Sequence, residues 1–122
     1  MKDKQIPKDL KKEVEVLNLY RRGWSKDMAE NCFSGMRDAN QILFDLYQVS
    51  SAIILIMEDT EKGKMPEKIL LFHLQKRLEE IVKSEDFDFF ASLNELGASN
   101  VIDNTTRHHI RVMFALLRIL SK

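Results

Sequence analysis

The sequence predicts an all-α fold, an antiparallel four- or five-helix bundle built around one long central helix at about residues 25–59. Small and apolar residues recur in that window on a seven-residue repeat, which is typical of a helix packed against other helices. No stretch alternates apolar and polar residues as a half-buried strand would. The length of 122 residues and the 44% hydrophobic content are sufficient for one core, so we expect a single domain over residues 1–122.

The central helix has a heptad pattern that also predicts its surroundings. Ser25 is placed to cap this helix, after Gly23 has ended the preceding one. At 1.5 Å per residue the rod would extend ~50 Å, which is longer than any other helix in the chain. We therefore expect residues 52–57 to be surrounded, with Ile53 and Ile54 at the bundle centre. The heptad core positions are Ala29, Met36, Leu43, Ser50 and Met57, together with Cys32, Ala39, Leu46 and Ile53.

The length of this helix leaves three arrangements open, because no single neighbour can cover the whole rod. The helix bends near Ser50 and Ser51, two shorter helices pack end to end along it, or a second copy covers the remainder. In the third arrangement its first half is expected to contact the second chain. The predicted self-association seam of this homodimer consists of Ala29, Cys32, Met36, Ala39 and Leu43.

Four further helices are predicted from their boundary residues and their apolar faces. Pro7 opens the first and Pro66 the third, because proline suits the first turn of a helix. The fourth follows Ser84, and Asn104 or Thr105 caps the last, which runs to the C-terminus. The predicted core residues of these helices are Leu10, Val14, Leu17, Ile69 or Leu70, Leu71, Leu74, Leu78, Ile81, Phe87, Phe90, Leu93, Ile110, Met113, Leu117 and Leu120.

The formal net charge is zero, but the charges are segregated along the chain. Residues 1–26 carry eight bases and four acids, and residues 62–83 carry six bases and three acids. Residues 27–61 carry one base and seven acids, and residues 84–103 carry five acids and no base. Residues 104–122 carry four bases and no acid. This alternation favours packing between neighbouring helices of opposite sign and disfavours wrong arrangements.

The last helix carries the sharpest candidate for a binding surface. At 100° per residue, Arg107, Arg111, Arg118 and Lys122 project within about 60° of one another, opposite the apolar face. This C-terminal basic stripe is ~20 Å long. Guanidinium groups in a line suit phosphates or a row of carboxylates, so the stripe indicates nucleic acid or an acidic protein surface. His108 is the only ring that the sequence places near the stripe, which counts against stacking of nucleic-acid bases.

The run LYRRGWSKDMAENCFSGMRDANQIL resembles a helix-turn-helix DNA-binding module. A Gly-Trp-Ser join precedes Met28 and Ala29, where such modules carry an apolar–alanine pair. The resemblance implies that Arg37 and Gln41, with Asn40 between them, lie on the helix that reads the groove. The module's turn glycine is replaced here by phenylalanine, and the heptad continues through that point. A continuous helix is therefore favoured, and the resemblance supports only the nucleic-acid alternative.

The sequence contains no motif for catalysis or metal binding. The lone Cys32 excludes an internal disulfide, and His73, His108 and His109 lack the three- or four-residue spacing of a helical metal site. The N-terminus lacks the apolar run of a signal peptide. The longest apolar run, Ala52–Met57, is far shorter than the ~20 residues that span a bilayer. We expect a cytoplasmic protein with no cofactor, no metal ion and no membrane contact.

By elimination, the sequence favours a non-enzymatic protein–protein interaction module. Such a module could be an adaptor, an inhibitor or immunity factor, or a small subunit of a larger assembly. It would present helical faces to a protein partner and self-associate through the predicted seam. The alternative is a nucleic-acid-binding protein that uses the C-terminal basic stripe, whose binding would weaken steeply with salt.

Overall fold

The computed structural model describes residues 6–30, 37–97 and 102–122. These residues form five helices and no strand, and the helices pack around one hydrophobic core. The predicted all-α bundle is therefore confirmed. The helices are α1 (Lys8–Glu30), α2 (Arg37–Glu61), α3 (Lys68–Lys83), α4 (Glu85–Glu95) and α5 (Asn104–Leu120).

The first two helices form an antiparallel hairpin. The Nζ of Lys11 lies 3.7 Å from the Oε1 of Glu61. Ten residues further along α1 and ten residues back along α2, Arg21 Nη1 donates to Ser51 Oγ at 2.8 Å. The chain therefore reverses direction between α1 and α2. The prediction of one helix over residues 25–59 is wrong, because residues 25–30 belong to α1 and α2 runs the opposite way.

Gly23 and Ser25 were predicted to separate two helices, and both lie inside α1. A Cβ built on Gly23 would have nothing within 4 Å, so the glycine occupies an open helical position. Its weak helix propensity costs about 1 kcal/mol relative to alanine. Trp24 is buried and packs edge-on against the ring of Tyr20, with the ring centroids 5.6 Å apart. Burial of the ring of Trp24, directly after Gly23, outweighs the cost of the glycine, so the helix continues.

The second helix supplies the centre of the core. The predicted heptad residues with described side chains are all buried: Leu43, Leu46, Ser50, Ile53 and Met57. Ile54 is buried beside them, which confirms its predicted place at the bundle centre. Leu55 is 59% exposed, so the expectation that residues 52–57 are surrounded is wrong at this position. All four other helices contact α2, but they leave the side of Leu55 open to solvent.

The third helix returns antiparallel to α2. Arg77 Nη2 donates to Asp45 Oδ1 at 2.9 Å and to Gln48 Oε1 at 2.8 Å. Four of the predicted core residues of α3 are buried: Leu71, Leu74, Leu78 and Ile81. Ile69 and Leu70 are exposed, so the core position predicted at one of them is wrong. At 100° per residue they project about 160° and 100° away from Leu71.

The last helix is capped one residue earlier than predicted. Asp103, rather than Asn104 or Thr105, is the N-cap, and its Oδ1 accepts the backbone N–H of Thr106 at 2.7 Å. The Oη of Tyr20 also donates to this carboxylate, at 3.1 Å from each oxygen. The predicted inward face of α5 is confirmed, since Ile110, Met113, Leu117 and Leu120 are buried.

Ion pairs between neighbouring helices follow the charge alternation of the sequence. Besides Lys11–Glu61, Arg77 pairs with Asp45 at 2.9 Å and Arg107 with Glu95 at 3.9 Å. Each pair joins a basic segment to an acidic one. All three pairs are partly exposed, so each contributes less than about 1 kcal/mol, and their effect is on helix arrangement more than on stability.

Candidate functional site

A groove of about 510 Å³ lies between α3 and α5. Its two walls are the N-terminal half of α3 and the C-terminal half of α5. This α3/α5 groove is lined by Lys68, Leu71, Phe72, Gln75, Phe114, Leu117, Arg118, Ser121 and Lys122.

The apolar part of the groove comes from one pair of residues on each helix. Leu71 and Leu117 are each 1% exposed and close the floor, where α3 and α5 meet the core. Phe72 follows Leu71 and is 56% exposed, while Phe114 lies one turn before Leu117 and is partly buried. The two rings therefore form the apolar surface that the groove presents to solvent. An exposed aromatic surface of this kind is typical of a contact site.

The rim of the groove is cationic on both walls. Lys68 lies on the α3 wall, and Arg118 and Lys122 lie on the α5 wall. The lining contains no acidic side chain. A further cation, the Nζ of Lys76, lies 5.6 Å from the centroid of the Phe72 ring. The groove thus combines apolar surface with positive charge that its own lining does not neutralise.

The predicted C-terminal basic stripe divides into two parts. Arg107 is used inside the chain, where its Nη2 lies 3.9 Å from Glu95 Oε1. Arg118 and Lys122 belong to the groove rim, and Arg111 lies two turns before Arg118 on the same side of α5. Within residues 6–30, 37–97 and 102–122, no carboxylate forms a salt bridge with Arg111, Arg118 or Lys122.

The α3 side of this site was not predicted from the sequence. Phe72 and Lys68 lie on a helix some forty residues away in sequence from the stripe, and Phe114 was not distinguished from the core residues of α5. One signal was present: Phe72 follows the buried Leu71 and lies off the apolar face of α3. The tertiary structure thus places two aromatic rings beside the stripe, where the sequence indicated only His108.

Two smaller cavities differ from the groove in their charges. One, of about 190 Å³ between α1 and α2, contains Lys11 together with Glu15, Glu58 and Glu61. Another of about 190 Å³, where α2, α3 and α4 meet, is lined by Gln41, Ile42, Asp45, Arg77, Glu80, Ile81, Ser84 and Asp86. Acids outnumber bases in both cavities, and the base in each pairs with an acid of the same lining. The α3/α5 groove differs in having cations without acids.

The predicted self-association seam falls mostly on residues that the structure does not describe. Cys32 and Met36 lie outside the described residues, as do the side chains of Ala29 and Ala39. Leu43 is 2% exposed and packs in the core of its own chain. Because α1 and α2 have similar lengths of 23 and 25 residues, the overlong rod that motivated the homodimer does not exist. Self-association through this seam stays a prediction.

The helix-turn-helix resemblance is not matched by the arrangement of the helices. The Gly-Trp-Ser join lies inside α1, and α1 packs lengthwise along α2 instead of crossing it steeply. Of the three residues placed on the reading helix, Gln41 is exposed, and its Nε2 donates to Asp45 Oδ1 at 3.0 Å. The side chains of Arg37 and Asn40 lie outside the described residues.

The three histidines do not form a common site. His73 is exposed on α3, and the Nε2 of His108 lies 2.6 Å from Glu13 Oε2. His109 is fully buried, and neither ring nitrogen has a hydrogen-bond partner in the part of the chain that the structure describes. Burial lowers the pKa of His109, and the neighbouring His108 lowers it further. No group of three or more described histidine, cysteine or acidic side chains could hold a metal ion.

One described segment, Gln41–Glu61 of α2, has the length and apolar content that a membrane-spanning helix needs. The core helix of a bundle has the same properties, and α2 contacts all four other helices, so this match is weak evidence for a membrane span. The chain matches no protein-family model, no curated protein and no solved structure.

Proposed function

We propose that this chain is a non-enzymatic interaction module that binds an acidic protein segment in the α3/α5 groove. The observation that carries the proposal is the composition of the groove. Two phenylalanine rings, Phe72 and Phe114, lie between walls that carry Lys68, Arg118 and Lys122, and the lining contains no acidic side chain.

The phenylalanines would supply most of the affinity. Covering an exposed aromatic side chain contributes about 1.5–3 kcal/mol, and Phe72 offers the larger uncovered ring. Aromatic residues in a concave site are the usual anchors of an interface. The cations would mainly select the partner, because rim charges govern the rate and specificity of association more than its final strength.

The polar groups of the groove support binding more than catalysis. Its only hydroxyl belongs to Ser121, whose Oγ donates to the carbonyl of Leu117 at 2.6 Å. Gln75 Nε2 donates to Glu79 Oε1 at 3.0 Å. The lining contains no histidine, no cysteine and no acidic side chain that could act as a base or nucleophile.

A peptide-display selection on the immobilised full-length chain tests this proposal. Random peptides are selected on the wild type and then tested on a double variant, Phe72→Ala with Arg118→Glu. We expect enriched peptides that are acidic and apolar, and that bind the double variant at least about tenfold more weakly.

A matched double variant serves as the control in this selection. Phe89→Ala with Lys12→Glu changes an exposed phenylalanine on α4 and an exposed lysine on α1, both outside the groove lining. We expect it to bind the selected peptides like the wild type. Peptides that bind the groove variant normally, or that fail equally on both variants, would contradict the proposal. Circular dichroism checks that each variant retains its helices.

Nucleic acid is the second candidate partner, and one observation favours it. Phe72 and Phe114 lie beside the basic stripe, so the site has the rings that base stacking requires. This alternative predicts that a labelled single-stranded oligonucleotide binds with an affinity that falls steeply with salt. Changing Arg111 and Arg118 to alanine would flatten the plot of log K against log salt by about 0.7 for each phosphate that is no longer neutralised. Binding that is independent of salt would exclude it.

A further inference from the structure

We infer that the occupant of the α3/α5 groove is an amphipathic α-helix with acidic residues on both edges of its apolar stripe. This inference rests on the proposed function and specifies the partner more narrowly. It follows from the shape of the groove, the position of its two phenylalanines and the placement of its cations.

The groove is bounded by two helices, and a furrow between two helices accepts a third by the ordinary packing of side chains into grooves. From Phe114 to Lys122 the α5 wall spans ~12 Å, at 1.5 Å per residue. This length corresponds to about two turns of a bound helix. The described residues offer no strand with a free edge, so the pairing of an extended peptide with a sheet has no template in this part of the chain.

The two phenylalanines define where the apolar stripe of the partner would lie. Phe72 is on α3 and Phe114 is on α5, with Leu71 and Leu117 between them at the bottom of the groove. A helix with apolar residues at positions i, i+3 or i+4, and i+7 presents a single line of side chains that fits between two such rings. Ile69, 66% exposed and three residues before Phe72, lies on the outer side of α3 and outside the groove lining.

The cations lie on both walls, which constrains the charges of the partner. Lys68 is on α3, whereas Arg118 is on α5 and Lys122 lies just past the end of that helix. A helix lying between the walls would meet positive charge along each side of its apolar stripe. Carboxylates on both edges would pair with these groups, and basic residues at the same positions would be repelled. A partner acidic on one edge only would leave one wall unpaired.

A flat anionic membrane has the right charge but a less suitable shape. The surface of a bilayer could reach the outward Ile69 and Phe72, but it would not enter the space between Phe72 and Phe114. A helix fills that space and meets both rings at once. The concavity therefore favours the helix, and the membrane becomes an outcome that the experiment must exclude.

The test measures fluorescence anisotropy of labelled probes with the full-length chain. The main probe is a peptide of roughly 18 residues, five helical turns, with leucines at i, i+4, i+7 and i+11 and glutamates on both edges. A second peptide has the same composition with its leucines at every other position. A third carries lysines in place of the glutamates. Further probes are vesicles of phosphatidylcholine with phosphatidylserine, measured by co-sedimentation, and an oligothymidine.

We expect the helical acidic peptide to bind at least about tenfold more tightly than the alternating one, and to gain helical circular dichroism on binding. Phe72→Ala and Arg118→Glu should each weaken that binding, while Phe89→Ala and Lys12→Glu should not. The lysine peptide should not bind. A peptide with glutamates on one edge only should give an intermediate affinity.

Other outcomes separate the failure of this inference from the failure of the proposed function. Equal binding of the alternating peptide, still abolished in Phe72→Ala, would overturn the helix and leave the groove as a peptide site. Vesicles or oligothymidine bound more tightly than any peptide, and released by Arg118→Glu, would overturn the helix in favour of that ligand. If no peptide binds in a groove-dependent way, the proposed function fails as well.

Discussion

The two sides of α5 differ in whether their polar side chains have partners within the part of the chain that the structure describes. On the side that faces α1, four side chains form the α1/α5 polar cluster: Tyr20, Asp103, Thr106 and His109. Tyr20 Oη contacts both Asp103 oxygens at 3.1 Å and Thr106 Oγ1 at 3.2 Å, and its ring lies 4.7 Å from that of His109. On the side that faces α3, the groove leaves Phe72 exposed and three cations without an acid in the lining.

This difference separates residues that hold the fold from residues that are free to bind. Around the polar cluster, Trp24 and Leu17 are buried, and the hydrogen bonds join helices that are far apart in sequence. Around the groove, Phe72 and Phe114 remain partly in solvent, so they contribute less to the stability of the fold than fully buried side chains do. We therefore expect substitutions near α1 to change stability and substitutions near α3 to change binding.

The largest effect is expected for a core residue on the α1 side. Leu17→Ala removes a side chain with no solvent exposure and should lower the free energy of unfolding by about 2–5 kcal/mol. Phe114→Ala, on the groove side, should cost clearly less, because its ring is only partly buried. Urea denaturation followed by circular dichroism measures both. Equal losses would show that the groove is as tightly packed as the core.

The second effect concerns the cap of α5. Asp103→Ala removes both the acceptor for the Thr106 N–H and a hydrogen-bond partner of Tyr20. We therefore expect the free energy of unfolding to fall by about 1–3 kcal/mol. Asp103→Asn keeps a good capping side chain and should recover most of that loss. Tyr20→Phe should lower the free energy of unfolding by about 1 kcal/mol, because it removes the hydrogen bonds of the hydroxyl group. If Asp103→Asn destabilises the protein as much as Asp103→Ala, the negative charge of Asp103 contributes more to stability than its capping hydrogen bond does.

The third effect is a dependence of stability on pH. Burial lowers the pKa of His109 below its ordinary value of 6.5, so the unfolded chain takes up this proton more readily than the folded one. Stability from this residue should be complete above pH 6.5 and should fall as the pH drops toward the lowered pKa, by at most about 1.4 kcal/mol per pH unit.

Two histidine variants sharpen this pH prediction. His109→Phe keeps a ring against Tyr20 and removes two buried nitrogens that lack described partners, so the part of the pH dependence due to His109 should disappear. His73→Gln, at an exposed position, should leave it unchanged. The comparison uses urea midpoints between pH 5 and pH 8. An unchanged slope in His109→Phe would assign the dependence to other groups.

The smallest effect on stability is expected at the groove rim. Arg118→Ala should change the free energy of unfolding by less than about 0.5 kcal/mol, since the side chain is exposed and forms no salt bridge with a described residue. Thermal and urea midpoints measure this change. A destabilisation above about 1 kcal/mol would mean that the arginine supports the fold and would weaken its assignment to binding.

Much of the core could be predicted from periodicity alone. Leu46, Ile53 and Leu78 are buried as predicted, because each lies on the apolar face of a helix whose period the sequence displays. Boundaries were less predictable, because glycine in an exposed helical turn costs little and is outweighed when a neighbour such as Trp24 is buried. The N-cap of α5 was also hard to predict, because Asp103, Asn104 and Thr105 are all good capping residues. The contact with Tyr20, which favours Asp103, forms only in the folded chain.

The sequence predicted the part of the candidate site on α5 but not the part on α3. Arg111 and Arg118 lie on one helix, so their common side follows from 100° per residue and can be worked out from the sequence, whereas Lys122 lies two residues past the end of α5. The opposing wall comes from Lys68 and Phe72, whose position relative to α5 depends on how α3 packs. The helical class, most of the buried faces and the basic line on α5 are therefore local properties that the sequence carries directly. The reversal of the chain after α1 and the aromatic wall that faces the basic line emerge only on folding, because both depend on contacts between residues far apart in the chain.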